Sequence, residues 1–169
     1  MSPAGGGTGS GPGGRVVTVI GAKGGVGTTS VVANLGGTLA RKKDTLLVSL
    51  PGAGNDLPLW FAASPASGGS PPPDVRSSLP SLTPELLDSL SRPVDGNLRL
   101  LCLDGGPWTK EEARRLVSLA RTRHSFVVVD AGAWKGGAPE AQVLGAIGES
   151  ASVFIVFNPD PLAIRRARE

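Results

Sequence analysis

Residues 15–29 read RVVTVIGAKGGVGTT, and the order of residue types in this stretch decides the fold. The β-branched run over 15–20 predicts a buried strand, and the apolar spacing from 28 to about 41 predicts a helix. Between them, residues 21–27 contain four glycines. Such a turn lets backbone N–H groups converge on phosphate oxygens, and the N-terminus of the helix adds its partial positive charge. The stretch therefore predicts a phosphate-binding loop, and a tight turn without a ligand is the alternative.

Four more apolar strands follow along the chain, separated by segments with helical signals. The strands are predicted over 45–50, 97–103, 125–130 and 151–157. Helices are predicted from the Thr83-Pro84 start, from the capping box of Thr109 and Glu112, over 138–147 and over 162–169. Apolar strands that alternate with helices are typical of an α/β fold whose mainly parallel sheet is covered on both faces. Ligands of such sheets bind beyond the carboxyl ends of the strands. The candidate segments are therefore 21–29, 49–56, 104–109, 130–134 and 158–161.

The 25 glycines and 15 prolines of this 169-residue chain are spread unevenly. Residues 1–14 are rich in glycine and carry no charged side chain, which predicts a flexible tail. Residues 63–81 are rich in proline and serine, which predicts a flexible loop. The rest of the chain has ordinary apolar content, so we expect one domain over 15–169 with that loop inside it.

Residue counts exclude several classes of protein. The single cysteine, Cys102, excludes an internal disulfide framework or a thiolate zinc cluster and is typical of a reducing cytosol. The single histidine, His124, excludes a multi-histidine metal site. The chain has no run of about 18 apolar residues and no signal-peptide features at its N-terminus, so we expect a cytoplasmic protein. The net charge of +3 permits weak attraction to nucleic acid or anionic lipid but predicts neither.

The glycine spacing also fits a second class of nucleotide-binding protein. Gly21-x-x-x-Gly25-x-Gly27 matches the dinucleotide fingerprint of short-chain dehydrogenases. That family uses a catalytic tyrosine, and this sequence contains no tyrosine. The second predicted strand of this chain has Ser49 and Pro51 at its end, where an acidic residue would hold an adenosine ribose in a dehydrogenase. These two differences disfavour a dehydrogenase.

The heptapeptide over 23–29, KGGVGTT, resembles the deviant Walker A phosphate loop of the ParA/MinD ATPases, K-G-G-x-G-K-[ST]. It differs at one position, where Thr28 replaces the second lysine. The longer run GAKGGVGTT looks most like the CpaE/TadZ branch, the pole-localisation ATPases of tight-adherence pilus assembly. Further segments resemble the family in the same order along the chain. These are 55–60 after the second strand, 98–103, 109–116, the Walker B-like strand 126–130 with Asp130, and 153–167.

The resemblance implies a three-layer P-loop NTPase fold with a mainly parallel sheet, truncated at its C-terminus because the family continues through further strands. It implies ATP and Mg²⁺ as cofactors, with Thr29 and Asp130 at the metal. It implies that Lys23 acts catalytically across a nucleotide-dependent homodimer. The residues implied in nucleotide binding are Ala22, Lys23, Gly24, Gly25, Val26, Gly27, Thr28 and Thr29. The implied partners are secretion or pilus machinery, with recruitment to the cell pole or the inner face of the membrane.

Two departures from the family bear on hydrolysis. The second strand of the family normally ends in D-x-D, and here Ser49-Leu50-Pro51 carries no carboxylate. Loss of a group that positions or deprotonates a nucleophile typically costs about 10²–10⁴-fold in rate. Thr28 also lacks the charge of the usual lysine. We therefore expect nucleotide binding with slow or absent hydrolysis. The alternatives are an active ParA-type partition ATPase that binds DNA non-specifically, and a non-catalytic interaction module that has lost nucleotide binding.

Several residues outside the loop carry weaker expectations. Asp56 has two interpretations, a role near the site and a loop-capping role. Trp108 and Trp134 are expected to pack over the edge of the sheet, with a partner surface as the alternative. Cys102 is expected to be a buried small hydrophobe, and His124 a solvated residue at a helix end.

Overall fold

A computed structural model describes residues 13–53, 56–61, 74–103 and 106–159. Residues 1–12 of the predicted tail, 63–73 of the predicted loop and the predicted helix over 162–169 lie outside the described residues. So do 54–55, 104–105 and 160–161 of the candidate segments. Six strands form one sheet in the order β3-β4-β2-β5-β1-β6. The strands are β1 (Arg15–Gly21), β2 (Thr45–Ser49), β3 (Arg92–Asp95), β4 (Leu98–Cys102), β5 (Phe126–Ala133) and β6 (Ser152–Val156). The helices are α1 (Thr28–Ala40), α2 (Leu57–Trp60), α3 (Val75–Ser78), α4 (Pro84–Leu90), α5 (Lys110–Arg123) and α6 (Ala141–Glu149).

The sheet confirms the predicted α/β fold. Each neighbouring pair of strands is parallel except β3 and β4, which form an antiparallel hairpin. The sequence did not indicate β3, because Pro93 lacks an N–H group and proline within a run argues against a strand. The hairpin places β3 at the edge of the sheet, where proline is tolerated.

Two apolar cores cover the two faces of the central strands. On one face, Leu116 and Val117 of α5 pack against alternate residues of β2 and β5, such as Val48 and Val129. On the other face, Val32 of α1 packs against the intervening residues of the same strands, such as Leu47. A Cβ atom on Gly36 would overlap the side chain of Leu47, so α1 needs glycine there to approach the sheet. Strand β6 is the exception, because both of its faces are largely exposed in the described part of the chain.

The predicted loop over 63–81 is wrong for its described end. Asp74 caps α3 by accepting hydrogen bonds from the backbone N–H groups of Arg76 and Ser77. A 3₁₀ turn, Leu79–Ser81, follows α3, and Val75 and Leu79 are buried in the first core. Two apolar anchors therefore order a segment whose composition is typical of a loop.

His124 is not the solvated helix-end residue that its position suggests. Only 2% of the residue is exposed. Its Nδ1 atom lies 2.8 Å from Asp44 Oδ2, and its Nε2 atom lies 3.2 Å from Asp88 Oδ1. Arg99 and Arg123 also pair with Asp88. The end of α5 is therefore buried in a cluster of charged residues at the amino edge of the sheet, which is opposite the candidate site.

Smaller differences concern the ends of elements. Gly14, assigned to the flexible tail, donates its backbone N–H to Arg121 O at 2.6 Å, so the described end of the tail packs against α5. Helix α6 begins at Ala141 instead of 138. The preceding turn is closed by the Trp134 Nε1–H, which donates to Gly137 O at 3.0 Å. In the described ranges, no helix has the length and apolar character needed to cross a bilayer.

Candidate functional site

The glycine loop has the strand–turn–helix geometry that the sequence predicts. It begins at the end of β1 and leads into α1, whose N-cap is Gly27. Gly25 and Gly27 have φ angles of 75° and 93°, in the left-handed region that side chains with a Cβ rarely adopt. These two glycines let the chain turn from the end of β1 into α1.

The outer surface of the loop is open. A Cβ atom built on Gly24 or Gly25 would meet no described heavy atom within 4 Å. In α1, the Val31 N–H donates to Gly27 O at 3.0 Å, and the three preceding N–H groups have no acceptor within the helix. The first turn of α1 also contains no acidic residue to neutralise its partial positive charge. An open loop at a helix N-terminus whose first turn contains no acidic residue is suited to binding an anion.

Thr28 faces away from this open surface. The residue is only 7% exposed, and a Cβ atom on Gly21 would overlap its Oγ1 atom. The side chain of Thr28 therefore packs over the end of β1, and Gly21 is needed for that close approach. Thr28 supplies no charge and directs its hydroxyl toward the sheet, so its contribution to a ligand would come from its backbone N–H.

Thr29 and Asp130 are brought together across 101 residues of sequence. The Thr29 hydroxyl donates to Asp130 Oδ2 at 2.8 Å, and the Gly132 N–H donates to Oδ1 at 2.9 Å. Burial raises the pKa of Asp130, these two hydrogen bonds partly oppose the rise, and the nearby Asp56 carboxylate adds to it. A buried carboxylate of this kind favours a cation beside it. Asp56 thus lies close enough to influence the site, and its side chain makes no capping hydrogen bond to α2.

Ser49 lies beside Asp130 on the same face of the sheet. The two residues are partners in the parallel register of β2 and β5, so their side chains project in the same direction. Ser49 is fully buried, and its Oγ atom has no hydrogen-bond partner in the described structure. The hydroxyl that occupies the place of the expected carboxylate is therefore adjacent to Asp130 but not bonded to it.

The loop that follows β2 is fixed by contacts that the sequence did not reveal. Gln142, at the start of α6, donates from Nε2 to Pro51 O at 2.7 Å, and its Oε1 accepts from the Trp108 N–H at 2.7 Å. The Gln142 side chain is buried, so one amide joins the loops after β2 and β4 to α6. The signal that could have identified it is a polar residue within the apolar run AQVLGAI. Trp108 is 2% exposed, which confirms the expected packing over the sheet edge.

The chain after β5 meets the base of the glycine loop. The Trp134 N–H donates to Gly21 O at 2.7 Å, and the Ala22 N–H donates to Val156 O at 2.8 Å. Lys23 follows in the loop and is partly exposed. Neighbouring strands therefore hold the first residues of the loop, while Gly24 and Gly25 stay exposed.

The residues present are compatible with one type of magnesium site. No group of three or more His, Cys, Asp or Glu residues that could hold a metal occurs in the described ranges. Mg²⁺ bound with a nucleotide needs fewer protein ligands, because phosphate oxygens and water complete its octahedral shell. A threonine hydroxyl hydrogen-bonded to a buried carboxylate, as at Thr29 and Asp130, fits that requirement.

Comparisons with solved structures identify the fold. A ParA family ATPase from Chlorobium tepidum TLS superposes with a TM-score of 0.76 at 20% identity, over 93% of this chain and 65% of that one. A plasmid partition protein from Borrelia burgdorferi B31 bound to AMPPNP gives a TM-score of 0.70 at 17% identity, over 92% and 66%. The septum site-determining protein MinD from Pyrococcus horikoshii OT3, complexed with Mg-ADP, gives 0.67 at 18%, over 90% and 61%. No protein-family model and no curated protein matches the sequence.

These neighbours define the class of fold. The chain has the α/β fold of the ParA/MinD P-loop ATPases, and it spans less than two thirds of the length of these three neighbours. The expected fold is thereby confirmed. The CpaE/TadZ branch, the role of Lys23 and the residues of the nucleotide site stay predictions.

Proposed function

We propose that this chain binds Mg-ATP in the loop over 22–29, dimerises around the nucleotide and positions a cellular machine, with slow or absent hydrolysis. The hydrogen bond between Thr29 and Asp130 beneath an open glycine loop is the observation that carries the proposal. Two neighbours of the same fold support it, because one is bound to AMPPNP and the other is complexed with Mg-ADP.

The phosphates would be bound mainly by backbone groups. The N–H groups at the start of α1 have no acceptor within the helix, and Gly24 and Gly25 leave space for a ligand to approach the backbone. Lys23 would add a positive charge, either in its own subunit or across the dimer. The hydrogen bonds from a glycine loop do not depend on the missing lysine at Thr28, so binding is expected to survive its loss.

The metal would be held where Thr29 and Asp130 meet. The Thr29 hydroxyl would bind Mg²⁺ directly, and Asp130 would hold Thr29 in position through the hydrogen bond already present. Bound Mg²⁺ neutralises phosphate charge and favours the ionised form of a nearby carboxyl group. This compensates for the burial that otherwise raises the pKa of Asp130.

Slow or absent hydrolysis follows from the groups that the site lacks. Ser49 and Pro51 offer no carboxylate to orient or deprotonate a water molecule, and the buried Ser49 hydroxyl is a much weaker base. The uncharged Thr28 side chain packs on Gly21, so it cannot neutralise phosphate charge. A single charge about 4 Å from a phosphate is worth roughly 1–4 kcal/mol, depending on the effective dielectric constant.

The cellular role rests on the resemblance of the loop to the CpaE/TadZ branch. That resemblance favours pilus or secretion machinery as the partner and the cell pole or the inner membrane face as the location. The alternative of a DNA-binding partition ATPase is weakened by charge pairing on α5. Arg114 and Arg121 both contact Glu149, and Arg123 contacts Asp88, so these arginines do not form an uncompensated basic surface.

A fluorescent ATP titration with Mg²⁺ tests the proposal. We expect saturable binding by the wild type, and Thr29→Ala should weaken it about 10–100-fold, because a hydrogen bond or ligand to a charged group is lost. Thr38→Ala is the matched control, since it makes the same substitution on the same helix at a hydroxyl that bonds Asn34 O. The proposal fails if the wild type shows no saturable binding below millimolar ATP, or if both variants lose affinity equally.

Two further assays separate the alternatives. Phosphate release with salt-sensitive, ATP-dependent DNA binding would favour an active partition ATPase. Equal thermal stability with and without Mg-ATP would favour the non-catalytic module, because a ligand that binds the native state must raise its stability. The proposal predicts that Mg-ATP raises the thermal stability, with slow or absent phosphate release and without ATP-dependent DNA binding.

A further inference from the structure

We infer that Lys135 faces the terminal phosphate of the bound nucleotide and supplies the charge that Thr28 lacks. This inference rests on the proposed nucleotide site and adds a residue to it. Lys135 follows β5 in the turn that leads to α6, and it was not among the site residues predicted from the sequence.

The backbone that precedes Lys135 is anchored to the first residue of the glycine loop. Ala133 pairs with Gly21 in the register of β5 and β1, and the next residue, Trp134, donates its N–H to Gly21 O at 2.7 Å. The Trp134 side chain closes the turn by donating from Nε1 to Gly137 O at 3.0 Å. Lys135 is therefore held at the tip of a turn that is anchored to the first residue of the loop.

The Lys135 side chain extends along the carboxyl edge of the sheet. Its Nζ atom lies 3.8 Å from the place that a Cβ atom on Gly52 would occupy, in the loop after β2. Ser49 of β2 and Asp130 of β5 are register partners near this edge. The ammonium group thus lies beside the loop after β2, next to Pro51, which stands where the second of the expected carboxylates is missing.

The charged side chains at this edge are few. In the described residues of 21–29, 49–56 and 130–140, the positive side chains are Lys23 and Lys135, and the negative ones are Asp56, Asp130 and Glu140. Thr28 is neutral and buried against Gly21. A nucleoside triphosphate needs positive charge at its terminal phosphate. The ammonium group of a lysine, on its flexible four-carbon stem, can supply it as a point charge.

Lys135 forms a solvent-exposed ion pair with Glu140, which can break at little cost in stability. Its Nζ atom lies 3.1 Å from Glu140 Oε1, and the two side chains are 69% and 46% exposed. Exposed ion pairs of this kind contribute little to stability. The other Glu140 oxygen, Oε2, accepts a hydrogen bond from Gln142 Nε2 at 2.9 Å, so Glu140 stays held when Lys135 turns to the phosphate.

The test compares Lys135→Gln with Lys42→Gln in titrations with Mg-ATP and Mg-ADP. Lys42 is an exposed lysine between α1 and β2, at the opposite edge of the sheet. We expect Lys135→Gln to weaken Mg-ATP about tenfold, the effect of losing one charge–charge contact in a partly screened site. Mg-ADP should weaken less, because it lacks the terminal phosphate. Glu140→Gln should bind Mg-ATP at least as tightly as the wild type, because the competing carboxylate is gone.

The outcomes separate this inference from the proposed function. If the wild type does not bind Mg-ATP, both are wrong. If the wild type binds and Lys135→Gln binds as well as Lys42→Gln, only the role of Lys135 is wrong. Equal losses for Mg-ATP and Mg-ADP, accompanied by a lower melting temperature, would show that Lys135 supports the turn instead of contacting the terminal phosphate. A selective loss for Mg-ATP at an unchanged melting temperature supports the inference.

Discussion

Replacing Gln142 with leucine should destabilise the protein. The substitution keeps a side chain of similar size, but it removes the donor to Pro51 O and the acceptor of the Trp108 N–H. The Trp108 N–H would then lack an acceptor where Gln142 and Trp108 are each 2% exposed, and Pro51 O would lack a donor at a half-buried position. An unsatisfied buried group costs about 1–3 kcal/mol and a half-buried one costs less, so the two losses together should lower the free energy of unfolding by roughly 2–5 kcal/mol.

Urea denaturation followed by circular dichroism measures this change. The midpoint should fall while the slope with urea concentration stays constant, since the surface exposed on unfolding hardly changes. Leu144→Ala is the control, because Leu144 lies on the same helix with 39% of the residue exposed and should lose only about 1 kcal/mol or less. A loss of similar size in the two variants would refute the view that Gln142 joins the loops after β2 and β4.

Two other predictions follow from the close approaches and the buried charge. Gly36→Ala should destabilise the protein by about 1–3 kcal/mol in urea denaturation, because the added methyl group overlaps Leu47. Gly37→Ala should stabilise it by up to about 1 kcal/mol, because that position meets no described atom and alanine favours helix; the same sign for both would contradict the packing. In the protein without nucleotide, the raised pKa of Asp130 means that its folded form binds a proton more readily than its unfolded form. Its contribution to stability is therefore fully present below the unfolded pKa and is lost as pH rises through the folded pKa, so wild type should lose stability relative to Asp130→Asn over that range, and parallel pH profiles would contradict this.

Local patterns predicted the elements that position the site. The β-branched run of β1, the glycines of the loop and the apolar spacing of α1 are contained in one stretch, so neighbouring residues alone specify their geometry. The starts of α4 and α5 were also predicted correctly, and Thr83 and Thr109 make the expected capping hydrogen bonds there. Asp130 was identified because it is acidic and comes near the end of an apolar strand at the ligand edge.

What the sequence missed depends on contacts between distant segments. His124 looks exposed at the end of α5, but Asp44 and Asp88 approach it from two other parts of the chain. The short helix α3 was not predicted, because the residues around it are rich in proline and serine. It forms because Val75 reaches the core. Gln142 is undistinguished in sequence, since its partners come from loops 34 and 91 residues away. Burial of this kind is decided by tertiary packing, which local propensity does not encode.

The direct test of the central claim is an amide NMR titration of the whole chain with Mg-ATP. If the glycine loop binds the phosphates, the largest shift changes will be at the backbone amides of Gly24, Gly25, Gly27, Thr28 and Thr29. The amides of the β3–β4 hairpin, at the far edge of the sheet, should hardly move. Unchanged loop amides at millimolar Mg-ATP, or changes centred on that hairpin, would contradict the account.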